Sequence, residues 1–176
     1  MAETKKLQGK VAVITGIQAK LADLDRLYEG VKTKGKINVV FANAGVAEFA
    51  PMGKITQEHF DRLFNISVKG TVFAVQKALP LINDGGSIIV NGSVASVKST
   101  PTFGVYSATK AAFRSFVLTW TSDLKDRHIR SNLISPGPTD TPAIDGQPAD
   151  AIARIVSTIP MGRMGKPDVI ARVALF

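Results

Sequence analysis

INVVFANAG, residues 37–45, is the stretch of this sequence that decides its fold. Its first six residues are nearly all apolar and rich in β-branched side chains, a pattern typical of a strand buried on both faces of a parallel sheet. The turn Asn43-Ala44-Gly45 follows where such a strand would end. Three further short runs predict strands, the last of them being the most polar: KVAVIT at 10–15, SIIVN at 87–91 and RSNLIS at 130–135.

Helical patterns lie between these predicted strands. The first helix begins near Leu21 and runs to Val31, and a second is capped by Thr56 and ends near Pro80. A third runs from about Val105 to Asp126, with apolar residues at three- and four-residue spacing. The alternation predicts an α/β fold in one domain over residues 1–176: a doubly wound parallel sheet with helices on both faces and ligands at the carboxyl ends of the strands.

Composition narrows the function classes. The chain has no cysteine, so it has no disulfide framework and no thiolate metal site, and we expect no metal. Its formal net charge of +8 suggests nucleic-acid binding, but the basic residues are scattered rather than gathered with aromatic residues on one face. No run approaches the roughly 18 apolar residues of a membrane span. We therefore expect a cytoplasmic protein with a small-molecule substrate and neither nucleic acid nor membrane as a partner.

Polar residues follow the predicted strands directly. Asn43-Ala44-Gly45 follows the second strand, Ser93 the third and Pro136-Gly137 the fourth. Tyr106 and Lys110 open the next helix at i and i+4, which places both side chains on one helical face. Alone, each has an ordinary structural explanation, such as a turn serine or an exposed lysine. Together, at one edge of a sheet, they predict a site where all of them converge.

In this order and spacing the motifs resemble the short-chain dehydrogenase/reductase family over essentially the whole chain. VAVITG at 11–16 is similar to the first strand of the family, and ANAG at 42–45 to its N-N-A-G signature. Tyr106–Lys110 matches Y-x-x-x-K, and Ser93 precedes Tyr106 by the family's spacing of 13 residues. RSNLISPGPTDT at 130–141 and GRMGKP at 162–167 resemble two further family motifs.

The resemblance implies a Rossmann-like fold, incomplete in this sequence, and an oxidoreductase that transfers a hydride between NAD or NADP and a secondary alcohol or ketone. It implies Tyr106 as general acid/base, with Ser93 and Lys110 beside it and Ser67 in the place of a fourth catalytic residue. It also implies a homodimer or homotetramer. The cofactor-binding residues that it implies are Thr15, Gly16, Asn43, Ala44, Gly45, Tyr106, Lys110, Pro136, Gly137, Thr139 and Thr141.

These residue types suit the chemistry. A free tyrosine has a pKa of about 10 and is a poor base at neutral pH. A neighbouring ammonium favours the phenolate, so we expect Lys110 to lower the pKa of Tyr106. The Ser93 hydroxyl can stabilise charge that develops on the reacting oxygen.

One departure from the family is Ser67, which stands where the family has an asparagine that holds a relay water. Serine is shorter but still binds water, so we expect an impaired relay rather than none. Asn65 lies two residues earlier, about 200° around an α-helix, and cannot replace it.

A larger departure is the missing sequence between Gly16 and the helix near Leu21, where the family has a glycine-rich turn and two further strands. The chain is also short between Asp145 and Ala151. We favour a longer enzyme from which mobile segments are omitted, and a genuine internal deletion is the alternative. Because the matching family helix follows the third strand, we predict that intervening strands separate it from the first, with a spatial gap between Gly16 and Lys20.

Two functional hypotheses follow. The first is an active oxidoreductase of the kind described. The second, motivated by Ser67 and the missing loops, is a catalytically weakened dinucleotide-binding or regulatory protein of the same fold.

Overall fold

The computed structural model describes residues 6–16 and 21–175, and in these ranges it confirms the predicted α/β fold. Four strands form one sheet in the order β1-β2-β3-β4, and every neighbouring pair is parallel. The strands are β1 (Ala12–Thr15), β2 (Ile37–Ala42), β3 (Ile82–Asn91) and β4 (Arg130–Ile134). The second strand has its predicted bounds, whereas the third begins earlier than the sequence predicted because Ile82 already pairs with Ile37.

Six α-helices accompany the sheet in this part of the chain. They are α1 (Leu21–Lys32), α2 (Gln57–Leu63), α3 (Gly70–Ala78), α4 (Gly104–Asp123), α5 (Ala149–Ser157) and α6 (Pro167–Leu175). A π-helical segment, Phe64–Lys69, joins α2 to α3. The Thr56 hydroxyl accepts a hydrogen bond from the His59 amide at 3.2 Å, which confirms the predicted N-cap.

The main core lies on one side of the sheet. The strands progress in one direction, so right-handed crossovers place α1, α3 and α4 on the same face. There Val40 and Ile88 pack in one buried cluster with Phe113 and Val117 of α4. On β1, Val13 belongs to this cluster, while Ile14 points the other way and is 67% exposed. The second face of the sheet is therefore only partly covered at β1.

The strands predicted to separate α1 from β1 are not found among the described residues, whose four-stranded sheet places β1 next to β2. The two strands pair directly, from Ala12 with Val39 to Thr15 with Ala42. In the usual strand order of this fold, 3-2-1-4-5-6, the first strand is a neighbour of the fourth, and the second and third lie outside it. A chain without those two strands can thus keep a contiguous sheet. The predicted gap falls on residues 17–20, which lie outside the described residues.

Candidate active site

The carboxyl edge of the sheet brings together the residues that follow the strands. The Asn91 side-chain amide, at the end of β3, donates to the Asn43 side-chain oxygen after β2 at 2.8 Å. The Asn43 backbone amide in turn donates to the Thr15 hydroxyl, at the end of β1, at 3.3 Å. Farther along the edge, the Val94 amide donates to the Pro136 carbonyl at 3.0 Å. Hydrogen bonds thus link the ends of all four strands.

Ser93 and Tyr106 meet at this edge. Ser93 precedes a short 3-10 turn, and its hydroxyl accepts a hydrogen bond from the Ala95 amide at 3.1 Å. Tyr106 lies in the first turn of α4, with its side chain close to that of Ser93. Burial raises the pKa of Tyr106 above its ordinary value of 10.0, and the Ser93 side chain offsets part of that rise.

Lys110 is a buried cation, only 4% exposed. Its ammonium donates to the Asn91 carbonyl at 2.8 Å, and burial lowers its pKa to about 8. No ion pair found among residues 6–16 and 21–175 includes it. The ammonium lies over the Tyr106 ring, 5.6 Å from the ring centre. The expected lowering of the Tyr106 pKa by Lys110 is therefore not what the structure shows: burial dominates, because the cation faces the ring rather than bonding the hydroxyl.

Gly45 lies between the side chains of Ser67 and Lys110. Ser67 is fully buried in the π-helical segment, and its hydroxyl is 3.4 Å from its donor, the Val46 amide. A Cβ at Gly45 would stand 3.4 Å from the Lys110 ammonium and 3.8 Å from the Ser67 hydroxyl oxygen. Glycine at this position therefore lets the backbone pass close to the ammonium without crowding it. Asn65 is exposed, in agreement with the expectation that it does not replace the family asparagine.

The remaining residues that the resemblance assigned to a cofactor lie along the same edge. Ala44 is buried in the turn after β2, and Gly16 follows β1 in an exposed position. After β4, the Thr139 hydroxyl donates to the Gly137 carbonyl at 3.0 Å, and Thr139 pairs with Gly165 of the GRMGKP stretch. Thr141 follows on this segment and precedes a 3-10 turn. The loop after β4 is therefore closed by a backbone bridge.

Three residues near the tyrosine were missed by sequence reasoning. Asn91 supplies both the carbonyl for Lys110 and the amide for Asn43, and its strand-end place two residues before Ser93 was the available signal. Phe103 and Phe49 form a ring stack with Tyr106. Phe103 precedes Tyr106 by three residues, one helical turn, whereas nothing in the sequence brings Phe49 there.

These groups fit the ribose end of the dinucleotide that the resemblance implies. A buried ammonium bonded to a carbonyl can also bind hydroxyl groups, and the Asn91 side-chain oxygen is buried without a hydrogen-bond partner among the described residues. Residues 17–20, where a pyrophosphate-binding turn would stand, lie outside the described part of the chain. Within that part, no cluster of His, Asp or Glu side chains could hold a metal ion, and no helix is long and apolar enough to cross a membrane.

Comparison with known proteins agrees with this geometry. A family model described as enoyl-(acyl carrier protein) reductase matches residues 3–176. An oxidoreductase of Sarocladium schorii is 40% identical over 179 residues, which cover 99% of this chain and 72% of that protein. A short-chain dehydrogenase from Burkholderia cenocepacia, solved in complex with NADP, is 28% identical with a TM-score of 0.81. The matched region covers 90% of this chain and 65% of the Burkholderia chain. Landomycin C-6 ketoreductase, solved with NADP and rabelomycin, is 27% identical with a TM-score of 0.79. The matched region covers 91% of this chain and 64% of the ketoreductase chain. The chain thus spans a little under two thirds of the length of these solved relatives.

Proposed function

Because this chain belongs to the short-chain dehydrogenase/reductase family, we propose that it is an oxidoreductase that transfers a hydride between NAD or NADP and a secondary alcohol or ketone. Tyr106 is the general acid/base. The observation that carries the proposal is the convergence of the Tyr106 and Ser93 side chains at the strand ends, with the buried ammonium of Lys110 over the same tyrosine ring. The relatives solved with NADP support the cofactor class.

In the proposed reduction, the substrate carbonyl oxygen lies between the Ser93 and Tyr106 hydroxyls. A bound nicotinamide supplies the hydride. Ser93 donates a hydrogen bond that stabilises the negative charge developing on the oxygen, and Tyr106 gives its proton to that oxygen. Alcohol oxidation runs through the same groups in reverse.

The Lys110 ammonium, which bonds the Asn91 carbonyl, is the proposed donor to the hydroxyl groups of the cofactor ribose. Since its pKa is about 8, the lysine can also exchange protons in the neutral range and so return a proton towards Tyr106. Ser67, buried beside Gly45, is the proposed fourth catalytic residue. Gly45 and Asn43 on one side, and the segment from Pro136 to Thr141 on the other, are the proposed walls of the cofactor site.

Replacing Tyr106 with phenylalanine tests this mechanism. The ring and its stacking remain, but the proton donor is lost, so we expect turnover to fall by about a hundredfold or more. The assay follows NADH or NADPH oxidation with a panel of ketones. Tyr28→Phe is the matched control, because the Tyr28 hydroxyl donates to the Ala74 carbonyl at 2.7 Å inside the core and takes no part in the proposed chemistry. Unchanged turnover in Tyr106→Phe would end the proposal.

A second candidate function is a catalytically weakened dinucleotide-binding or regulatory protein. Ser67 in place of the family asparagine and the missing loop between Gly16 and Leu21 favour it. Calorimetric titration of the chain with NADH and NADPH separates the two. Cofactor binding without turnover of any ketone supports this second function, and turnover that requires Tyr106 supports the first.

We further propose that the protein assembles as a homodimer or homotetramer through α3 and α4. An apolar groove of about 150 Å³ between these helices is lined in part by Val72, Val75, Trp120 and Leu124. Leu118, also on α4, is 66% exposed. We propose the cytoplasm as its location, since a chain without cysteine needs no oxidising compartment.

A further inference from the structure

A stack of three aromatic rings ends at the proposed catalytic tyrosine. The Phe49 and Phe103 ring centres are 4.3 Å apart with planes 12° from parallel. The Phe103 and Tyr106 ring centres are also 4.3 Å apart, with planes 27° from parallel. Phe103 is the middle ring, and Phe49 is the end of the stack that is remote from the reactive hydroxyl.

The stack joins two loops at the carboxyl edge of the sheet. Phe49 lies in the loop after β2, four residues beyond Gly45, and Phe103 lies immediately before α4. The Ala50 amide donates to the Thr102 carbonyl at 2.8 Å, which fixes the two loops to each other beside the rings. The position of Phe49 relative to Tyr106 is therefore set by backbone hydrogen bonding as well as by ring contact.

Phe49 contributes little to the core, because 67% of its surface is exposed. A single exposed apolar residue needs no explanation by itself. Here, however, the exposed ring continues a rigid aromatic surface that begins at the proton donor. Aromatic side chains offer large, stiff contact surfaces, and further rings bind them edge-to-face or in offset stacks.

We propose that this stack binds the aromatic part of the substrate, so that the preferred substrates are planar ketones fused to an aromatic ring. The inference rests on the proposed function, since it places the ketone oxygen between Ser93 and Tyr106. The two ring steps from Tyr106 to Phe49, each 4.3 Å between ring centres, are together comparable with the length of a fused bicyclic molecule. A small aliphatic ketone can reach both hydroxyls without touching Phe49.

A pair of ketones that differ by one fused ring provides the test. 2-Tetralone and cyclohexanone share a cyclic ketone, and only 2-tetralone carries the benzene ring. In Phe49→Ala we expect kcat/KM for 2-tetralone to fall about tenfold, because one aromatic contact is lost, while the value for cyclohexanone stays within about twofold. Phe49→Tyr keeps the ring and should keep the wild-type ratio. Met52→Ala, at a residue that is 93% exposed in the same loop, is the control for a general effect of changing an exposed apolar residue.

A binding measurement separates failure of this inference from failure of the proposed function. 2-Naphthol has no ketone to reduce, and its binding to the chain can be followed by ligand-observed NMR without turnover. We expect Phe49→Ala to weaken naphthol binding about tenfold and Phe49→Tyr to retain it. Naphthol binding that depends on Phe49, without turnover of any ketone, would refute the oxidoreductase function and support the aromatic binding site. Equal naphthol binding in wild type and Phe49→Ala, no naphthol binding at all, or an unchanged ratio of 2-tetralone to cyclohexanone turnover would overturn the aromatic site.

Discussion

Replacing Lys110 with methionine is expected to stabilise the fold while abolishing turnover. Burial lowers the pKa of Lys110 from its ordinary value of 10.5 to about 8, and the residue is 4% exposed. A shift of this size means that holding the charged form in the folded state costs about 3 kcal/mol at neutral pH. Methionine has a similar length and no charge.

One loss opposes this gain. The Asn91 carbonyl, which accepts from the Lys110 ammonium at 2.8 Å, has no such donor in the variant. Leaving that half-buried acceptor without its donor costs about 1 kcal/mol, so the net gain in unfolding free energy is about 2 kcal/mol.

The gain should depend on pH in one direction. The pKa of Lys110 is lower in the folded chain than in the unfolded chain, so the unfolded chain binds more protons between about pH 8 and the ordinary value of 10.5. The unfolding free energy of the wild type therefore rises with pH across that window. The advantage of Lys110→Met is therefore constant below about pH 8 and disappears as the pH approaches the ordinary lysine pKa. The burial-raised pKa values of Tyr28 and Tyr106 affect both proteins alike and cancel in the difference.

Urea unfolding followed by circular dichroism, in steps from neutral pH to about pH 10, measures this difference. Lys69→Met, at an exposed helical lysine, is the control and should change the unfolding free energy by less than about 0.5 kcal/mol at every pH. If Lys110→Met proves less stable than wild type at neutral pH, or if its advantage is the same at all pH values, the burial of charge is not what sets the energetics of this site.

Two further predictions concern the proton relay and the assembly. Ser67→Asn restores the family residue and should raise kcat about tenfold where the relay limits turnover, whereas Ser67→Ala should lower kcat. Thermal unfolding of both variants checks that the fully buried site tolerates them. Equal kcat in all three proteins would remove Ser67 from the mechanism. Sedimentation at micromolar concentration should show a dimer or tetramer, and Val72→Glu, which places a charge in the groove between α3 and α4, should shift it to monomer. A wild-type protein that sediments only as a monomer would refute the proposed interface.

The sequence by itself determined the elements that depend on local patterns. The apolar run 37–42 became β2 with its predicted bounds, and Thr56 caps a helix as predicted. The spacing of Tyr106 and Lys110 placed both on one face of α4, because side chains four residues apart lie above one another on any α-helix. Strand-end polar residues met at one edge because parallel strands end on the same side. These are consequences of backbone periodicity, which a sequence displays directly.

Only the tertiary structure decided which distant segments touch and what each site residue experiences. β1 lies against β2 because strand order is a property of the whole sheet, not of the order along the chain. Phe49 meets Phe103 through a contact between loops 54 residues apart in sequence, and no periodic pattern encodes such a contact. The pKa of Tyr106 rises rather than falls because burial is the largest influence on it, and burial is fixed only when the surrounding elements have packed.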